Sequence, residues 1–373
     1  MARTANPYHS EVIGSLLRPQ YLKDAIARFD KGELTRAELD AVEDKAVLEA
    51  IALQEACDID VIADGEMRRR GWTAPLTVSI AGYGPAPRPA DFKLNTRYER
   101  SDAERQLTPT LVAVIKKLSR AEVNLPLKEQ LFLQAHTQRP FKVTLPSLAH
   151  ATVLWSPGTS DKVYPNKDEY LQDVLELTTQ IVAECVAKGA TYVQLDSPRY
   201  THLVSDEGRA NFRHLGIDPD AWLDEAIGID NALIDRFPGV TWGLHLCRGN
   251  GPRGAWSVAG GYDPIAERLF NDIHVDRLLL EYDTPRSGSF EPLRFVPEGK
   301  VAVLGLISTK ENEIETAELL KGRLEEASKF IDLDAVALSP QCGFASAFEG
   351  NMDEATQRAK LEVLGQVTHE VWR

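Results

Sequence analysis

Near the end of the run TWGLHLC (241–247), His245 and Cys247 stand two positions apart, so on a β-strand an imidazole and a thiol would project from the same face. Glu281 lies in the later run RLLLEYD (277–283), and Cys342 sits beside Gly343 in SPQCG, at the close of another apolar run. Together they offer one nitrogen, two sulfurs and one oxygen. That set suits tetrahedral Zn2+, because soft thiolates disfavour magnesium and calcium. His-x-Cys alone is a weak signal, since buried free cysteines are common packing residues. The packing reading fits the two remaining cysteines: Cys57 closes a helical pattern, and Cys185 lies among apolar residues at helical spacing. Cys342 is different, because a thiol in a turn at a strand end is oddly placed unless something occupies it.

The elements that must position these residues alternate along the chain. Residues 34–56 repeat apolar residues at helical spacing, with Thr35 and Glu38 as a capping box, and run into a short apolar stretch before DGE. Strand candidates follow in order: 10–15, 60–66, 141–147, 191–197, 241–247, 277–283, 301–308 and 335–343. Helical patterns at 169–189 and 314–330 separate some of them. Eight buried strands with helical crossovers predict a parallel sheet closed as an α/β (β/α)8 TIM barrel, with an open doubly wound sheet as the alternative. The long interval between the second and third strands, which includes PAPRP (85–89) and FKLNTRYERSD (92–102), reads as an insertion at the barrel mouth. The 373 residues are expected to form one domain (1–373), with the residues before Glu11 as a strap or tail.

In this arrangement the polar residues gather at the C-terminal strand ends, where barrel enzymes build their sites: Ser15, Asp64, Glu66, Ser147, Asp196, His245, Cys247, Glu281, Asp283, Ser308 and Cys342. A formal charge of -14 repels nucleic-acid phosphates and anionic lipid, so neither is an expected partner. The chain has no apolar run of membrane-spanning length and its first residues lack a secretory pattern, so a cytoplasmic protein is expected. The run RRR (68–70) offers an anion site, although such runs are usually solvated faces. The glycine-rich loop 248–263 reads as a lid carrying Trp256 and Tyr262, and it lacks the ending of a phosphate loop.

Taken together, IGS (13–15), DGE (64–66), QLDSP (194–198), HLC (245–247), the acid of LLLEYD and SPQCGF (339–344) resemble the catalytic barrel of cobalamin-independent methionine synthases and their short relatives. The resemblance runs in the right order from Ile13 to Cys342. It implies a zinc site of His245, Cys247, Glu281 and Cys342 that activates a small thiol for alkyl transfer. It also implies that the backbone of Ile13, Gly14 and Ser15, with Glu66 and Asp196, holds the thiol's polar head, two carboxylates suiting an ammonium. Glu281 is the ligand expected to yield to an incoming sulfur. The sequence departs from the full-length enzymes in two places. Ser197 stands where they have a glutamate, and VLGLISTKEN (303–312) has no counterpart of their histidine, although Ser308 and Lys310 lie nearby in sequence. The chain has room for the catalytic barrel and not for the second, N-terminal barrel of those enzymes.

The expected activity is methyl transfer to homocysteine, giving methionine, from a folate, a methylated corrinoid or corrinoid protein, or another small donor. The rivals are alkyl transfer to another thiol such as coenzyme M with epoxide opening, and a noncatalytic zinc-bearing barrel. Against the last, the ligands come from separate strand ends, whereas structural zinc ligands cluster in short loops. Porphyrinogen decarboxylases share this barrel type but need no metal site. Homo-oligomer formation is compatible with the sequence.

Overall fold

The computed structural model describes residues 6–87, 110–251, 254–346 and 348–373. Helix α1 (Gln20–Asp30) packs on α2 (Arg36–Ala56), which starts at the expected capping box: Thr35 Oγ1 accepts from Glu38 N, and Thr35 N donates back to Glu38 Oε2. The short α3 (Ala74–Ser79) then leads into an antiparallel pair, β1 (Ile80–Pro87) and β2 (Thr110–Arg120), followed by α4 (Leu125–His136).

Six parallel strands follow in sequential order: β3 (Val143–Pro146), β4 (Tyr192–Asp196), β5 (Thr241–Leu246), β6 (Arg277–Glu281), β7 (Val301–Ile307) and β8 (Val336–Pro340). The chain returns between them through α5 (Lys167–Ala187), α6 (Asp206–His214), α7 (Pro219–Ile234), α8 (Asp263–Asp272) and α9 (Ala317–Ala327), and it ends in α10 (Glu354–Trp372). Parallel strands need such crossovers, and helices covering them explain why β3, β4, β6 and β8 are buried throughout.

Alternate strand residues sort into two faces. Leu278, Leu280, Ala302, Leu304, Val336 and Leu338 join the large apolar core that includes the helices. Leu279, Val303 and Ala337, paired across β6, β7 and β8 in one row with His245, form a separate cluster with Ile13. His245 therefore shares the inner face, away from the helices.

The expectation of eight full strands is corrected. The runs 10–15 and 60–66 contribute isolated parallel bridges instead: Ser10 with Leu338 of β8, Glu11 with Val61, and Ile62 with Phe141 just before β3. These bridges connect the two edges of the six-stranded sheet in sequence. The second run is short because the backbone turns left-handed at Gly65 (φ 71°) and Glu66 (φ 56°). The β1–β2 pair occupies part of the interval read as an insertion; residues 92–102 lie outside the described ones. Residues 6–9 act as a strap, for Arg277 Nη1 donates to Asn6 Oδ1 (2.9 Å), Arg277 Nη2 donates to Tyr8 O (3.2 Å), and His9 stacks on Trp372.

Candidate metal centre

The ends of β5 and β6 and the turn after β8 bring His245, Cys247, Glu281 and Cys342 together, one donor atom from each lying within 4.8 Å of the others. Cys247 Sγ and Cys342 Sγ are 3.6 Å apart. Two sulfurs on one tetrahedral zinc, at ~2.3 Å each, would be separated by about 3.8 Å, whereas a disulfide needs ~2.05 Å. His245 is 2% exposed, and among the described residues neither of its ring nitrogens has a hydrogen-bond partner. An unmade buried hydrogen bond costs about 1–3 kcal/mol, so this imidazole is built for a partner the polypeptide does not supply. The donor set and the orphaned nitrogens both fit zinc. Cys247 is the least buried of the four.

The charges are arranged accordingly. The hydrogen bond from Cys342 holds the Cys247 thiol well below its ordinary range, and the same bond with burial pushes Cys342 well above it. Burial alone would raise Glu281, but Arg286, then Lys310, His245 and Arg248, outweigh it and keep the carboxylate ionised. Burial likewise depresses His245, and the neighbouring Cys247, Asp196 and Glu281 more than reverse this. Cys57 and Cys185 behave as packing thiols, pushed up by burial to about 11 and about 12.

The five residues expected to hold a substrate's polar head lie beside this cluster. Gln194 Nε2 donates to Ile13 O (2.8 Å) and to Asp196 Oδ1 (2.7 Å), and Asp196 is the register partner of His245. A Cβ on Gly14 would stand 2.8 Å from Glu66 Oε1, so only glycine lets the backbone approach that carboxylate so closely. Ser15 meets the last ligand's turn: Phe344 N donates to Ser15 O (2.7 Å), and a Cβ on Gly343 would stand 2.3 Å from Ser15 Oγ. Glu66 is held at positive φ by an interlocked turn, its N donating to Asp64 Oδ1 (3.0 Å) and its carbonyl accepting from Arg18 Nη2 (3.1 Å) and Arg69 N (3.1 Å). Such a backbone costs of order 1–3 kcal/mol and persists where the surroundings over-determine it. Asp196 is pushed up to about 7, chiefly by burial, with His245 opposing.

Other rim residues are committed elsewhere. Arg68 pairs with Asp44 (2.6 Å) and Arg70 with Asp30 (2.9 Å). Arg69 spends all five donors on Glu129, Glu66 and Thr144, so the run RRR offers no free anion site. Tyr262 is no lid residue: it is fully buried, and its Oη accepts from Glu281 N (2.9 Å). Ser308 Oγ (3.1 Å) and Lys310 Nζ (2.6 Å) both engage Asp283. Ser147 caps a short 3-10 turn and donates to Asp230 (2.7 Å).

Sequence reasoning missed the groups that hold Glu281. Its Oε1 accepts from Arg248 N (2.6 Å), and its Oε2 accepts from Arg286 Nη2 (2.7 Å) and Gln341 Nε2 (3.3 Å). It also missed Gln194, although an amide two residues before Asp196 in an apolar strand must share that residue's face.

Against known proteins, residues 9–363 match the family model described as "Cobalamin-independent synthase, Catalytic domain". The chain belongs to the cobalamin-independent methionine synthase family. Within that family, the chain is 34% identical to the protein YxjH of Bacillus subtilis (strain 168), over 98% of this chain and 95% of that one. It is 25% identical to the methionine synthase of Pyrococcus abyssi, over 90% of this chain and 85% of that one. Among solved structures, a B12-independent methionine synthase from Shewanella sp. W3-18-1, in complex with selenomethionine, superposes with a TM-score of 0.72 over 97% of this chain and 98% of that one, at 18% identity. This last likeness is one of fold. Membership in the family makes the chain a methyltransferase-type enzyme acting on small molecules. Among the described residues no helix is long and apolar enough to cross a membrane.

Proposed function

We propose that this chain is a zinc-dependent thiol S-methyltransferase that converts homocysteine to methionine, built as one closed (β/α)8 barrel over residues 1–373. The observation that carries the reading is the convergence of His245, Cys247, Glu281 and Cys342, with both nitrogens of a buried imidazole unpartnered. These four would hold Zn2+, which when bound keeps an incoming thiol ionised near neutral pH.

The chain's own residues do the rest. Glu66 and Asp196 present two buried carboxylates to the substrate's ammonium, beside the closely approaching backbone of Ile13, Gly14 and Ser15. Glu281 would be the ligand best placed to give way to the thiol, because both of its oxygens have partners in Arg248 N, Arg286 and Gln341 that would keep its buried charge compensated. The bridges at Ser10, Glu11 and Ile62, and the inward cluster around Ile13, support closure of the barrel. The name of the Pyrococcus relative and the selenomethionine bound in the Shewanella protein support an amino-acid thiol. The pairing of Arg68, Arg69 and Arg70 removes the run that would have suited a sulfonated thiol.

Calorimetry on the zinc-loaded protein tests this. Saturable homocysteine binding, weakened in Asp196→Asn and Glu66→Gln, is expected. Absence of homocysteine binding alongside tight binding of 2-mercaptoethanesulfonate would reject the reading.

A further inference from the structure

The buried Glu129 of α4 has no part in the chemistry described so far, yet a single guanidinium separates it from the thiol site. Its Oε1 accepts from Arg69 Nε (2.8 Å) and its Oε2 from Arg69 Nη2 (2.6 Å), a two-pronged pair between side chains that are both enclosed. The other arm of the guanidinium, Nη1, donates to Thr144 Oγ1 (2.8 Å) and reaches Glu66 Oε1 at 3.3 Å. Arg69 is therefore shared unequally: two short bonds go to Glu129, and one long contact goes to Glu66. Among the described residues Glu66 Oε2 accepts no hydrogen bond.

The charges show what this sharing does. Around Glu66 stand two cations, Arg69 and Arg18, and two further carboxylates, Asp64 and Glu129. Arg18 gives its hydrogen bonds to backbone, to Glu66 O, Arg69 O, Ala345 O and Phe348 O. With Glu66 itself, the acids exceed the cations by one, and Glu129 makes that difference. Burial pushes Glu129 up to about 7, with Arg69 opposing and Asp64 and Glu66 adding to the rise, the sign expected of carboxylates crowded in excess. Burial would lower Arg69, but Glu129 and then Glu66 more than reverse it, so the guanidinium stays charged. A cation brought beside Glu66 relieves this crowding. Without the charge of Glu129, Arg69 would act on Glu66 in full, and an incoming ammonium would meet a carboxylate already compensated by a cation that repels it.

We infer that Glu129 is a positioning residue that selects the class of acceptor: by holding Arg69 it keeps the Glu66 carboxylate oriented but uncompensated, and so reserves the site for a thiol that bears an ammonium. This selection rests on the reading above in which Glu66 meets the acceptor's ammonium. It acts through Arg69, and it leaves the four metal ligands untouched.

The test is calorimetric binding of three thiols to the zinc-loaded protein at about pH 8, above the value of Glu129. Homocysteine carries both ammonium and carboxylate, 2-aminoethanethiol keeps the ammonium alone, and 4-mercaptobutyrate keeps the carboxylate alone. Glu129→Gln should weaken the two amino thiols roughly 10-fold and leave 4-mercaptobutyrate within about 2-fold, the effect of one uncompensated buried charge, with zinc content unchanged. In the double variant, Glu129→Gln with Arg69→Gln, that unmatched charge is gone and the preference for amino thiols should return. The double variant also carries the test where the single one does not fold. Equal weakening of all three thiols in Glu129→Gln, which a purely structural role would give, overturns the inference, as does no weakening of any or a double variant without the preference. Binding of 2-aminoethanethiol but not homocysteine, weakened in Glu129→Gln, would uphold the role of Glu129 and reject the proposed acceptor. A wild type that binds neither amino thiol overturns both.

Discussion

Two buried polar clusters occupy opposite ends of the same sheet, and they are finished differently. At the N-terminal end, Glu11 is fully buried and saturated: its Oε1 accepts from Arg277 Nε (3.0 Å) and Nη2 (2.8 Å), and its Oε2 accepts from Lys142 and Tyr192 (2.9 Å). Burial would raise it, yet Lys142 and Arg277 bring it down to about 2. At the C-terminal end, His245 has two unpartnered nitrogens, Asp64 Oδ2 is unpaired, and Asp196 is pushed up to about 7. Both clusters place charge where water is scarce. The first is satisfied by the chain itself and ties strand starts together, and the second leaves its valences open for something that binds.

The largest separation between the two should come from the sulfurs. Replacing Cys342 with Ala is expected to reduce zinc from about one ion per chain to background and to abolish transfer, because three protein ligands lose the pairing that fixes the fourth. Metal analysis and a methyl-transfer assay check it, and the fold should survive, as judged by circular dichroism. Zinc retained at full occupancy would remove Cys342 from the site.

At the other end the damage should be to stability. Glu11→Gln leaves two buried cations with half a partner and should cost about 3–5 kcal/mol in denaturant unfolding, with zinc content unaltered in the folded fraction. Its pH signature is specific. The folded pKa of about 2 lies below the ordinary 4.5, so the stabilisation is complete above about pH 4.5 and is lost as pH falls towards 2. Wild type should lose stability across that window, and the glutamine variant should lack this part of the loss.

A smaller effect is expected where the open cluster meets substrate. Asp196→Asn should weaken homocysteine roughly 10- to 100-fold by calorimetry while leaving zinc in place. The smallest concerns the exposed pair of Arg70 and Asp30: Arg70→Gln should shift stability by less than ~1 kcal/mol and change neither metal nor substrate binding.

Much of the open cluster was legible in the sequence because its residue types are rare and sit where apolar runs end. His245 and Cys247 share a face by strand periodicity alone, and Glu281 and Cys342 close later runs. The strand count was less legible. The runs 10–15 and 60–66 have the composition of buried strands, but their pairing is confined to Ser10, Glu11, Val61 and Ile62, and the second run goes on to turn left-handed at Gly65 and Glu66, which nothing in a run of apolar residues announces. The segment IAGYGPAP falls in the interval read as an insertion, and its glycines and prolines do not announce a strand, yet it pairs with β2 through an irregular register. The support of Glu281 was hidden for another reason. Arg248 contributes a backbone N–H, which any residue has, and Gln341 and Arg286 acquire their roles only when β6 and β8 are brought together. The saturated cluster was invisible too, since Glu11, Lys142, Tyr192 and Arg277 are far apart in the chain and resemble surface residues by type.

The central claim is that the open cluster is a zinc site with a place for an incoming sulfur. Zinc-edge X-ray absorption before and after homocysteine tests it most directly. Two sulfurs with one nitrogen and one oxygen are expected in the resting protein, changing to three sulfurs with the oxygen lost when the thiol is added. A resting site without the two sulfurs, or a sulfur number unchanged by saturating homocysteine, would contradict the account.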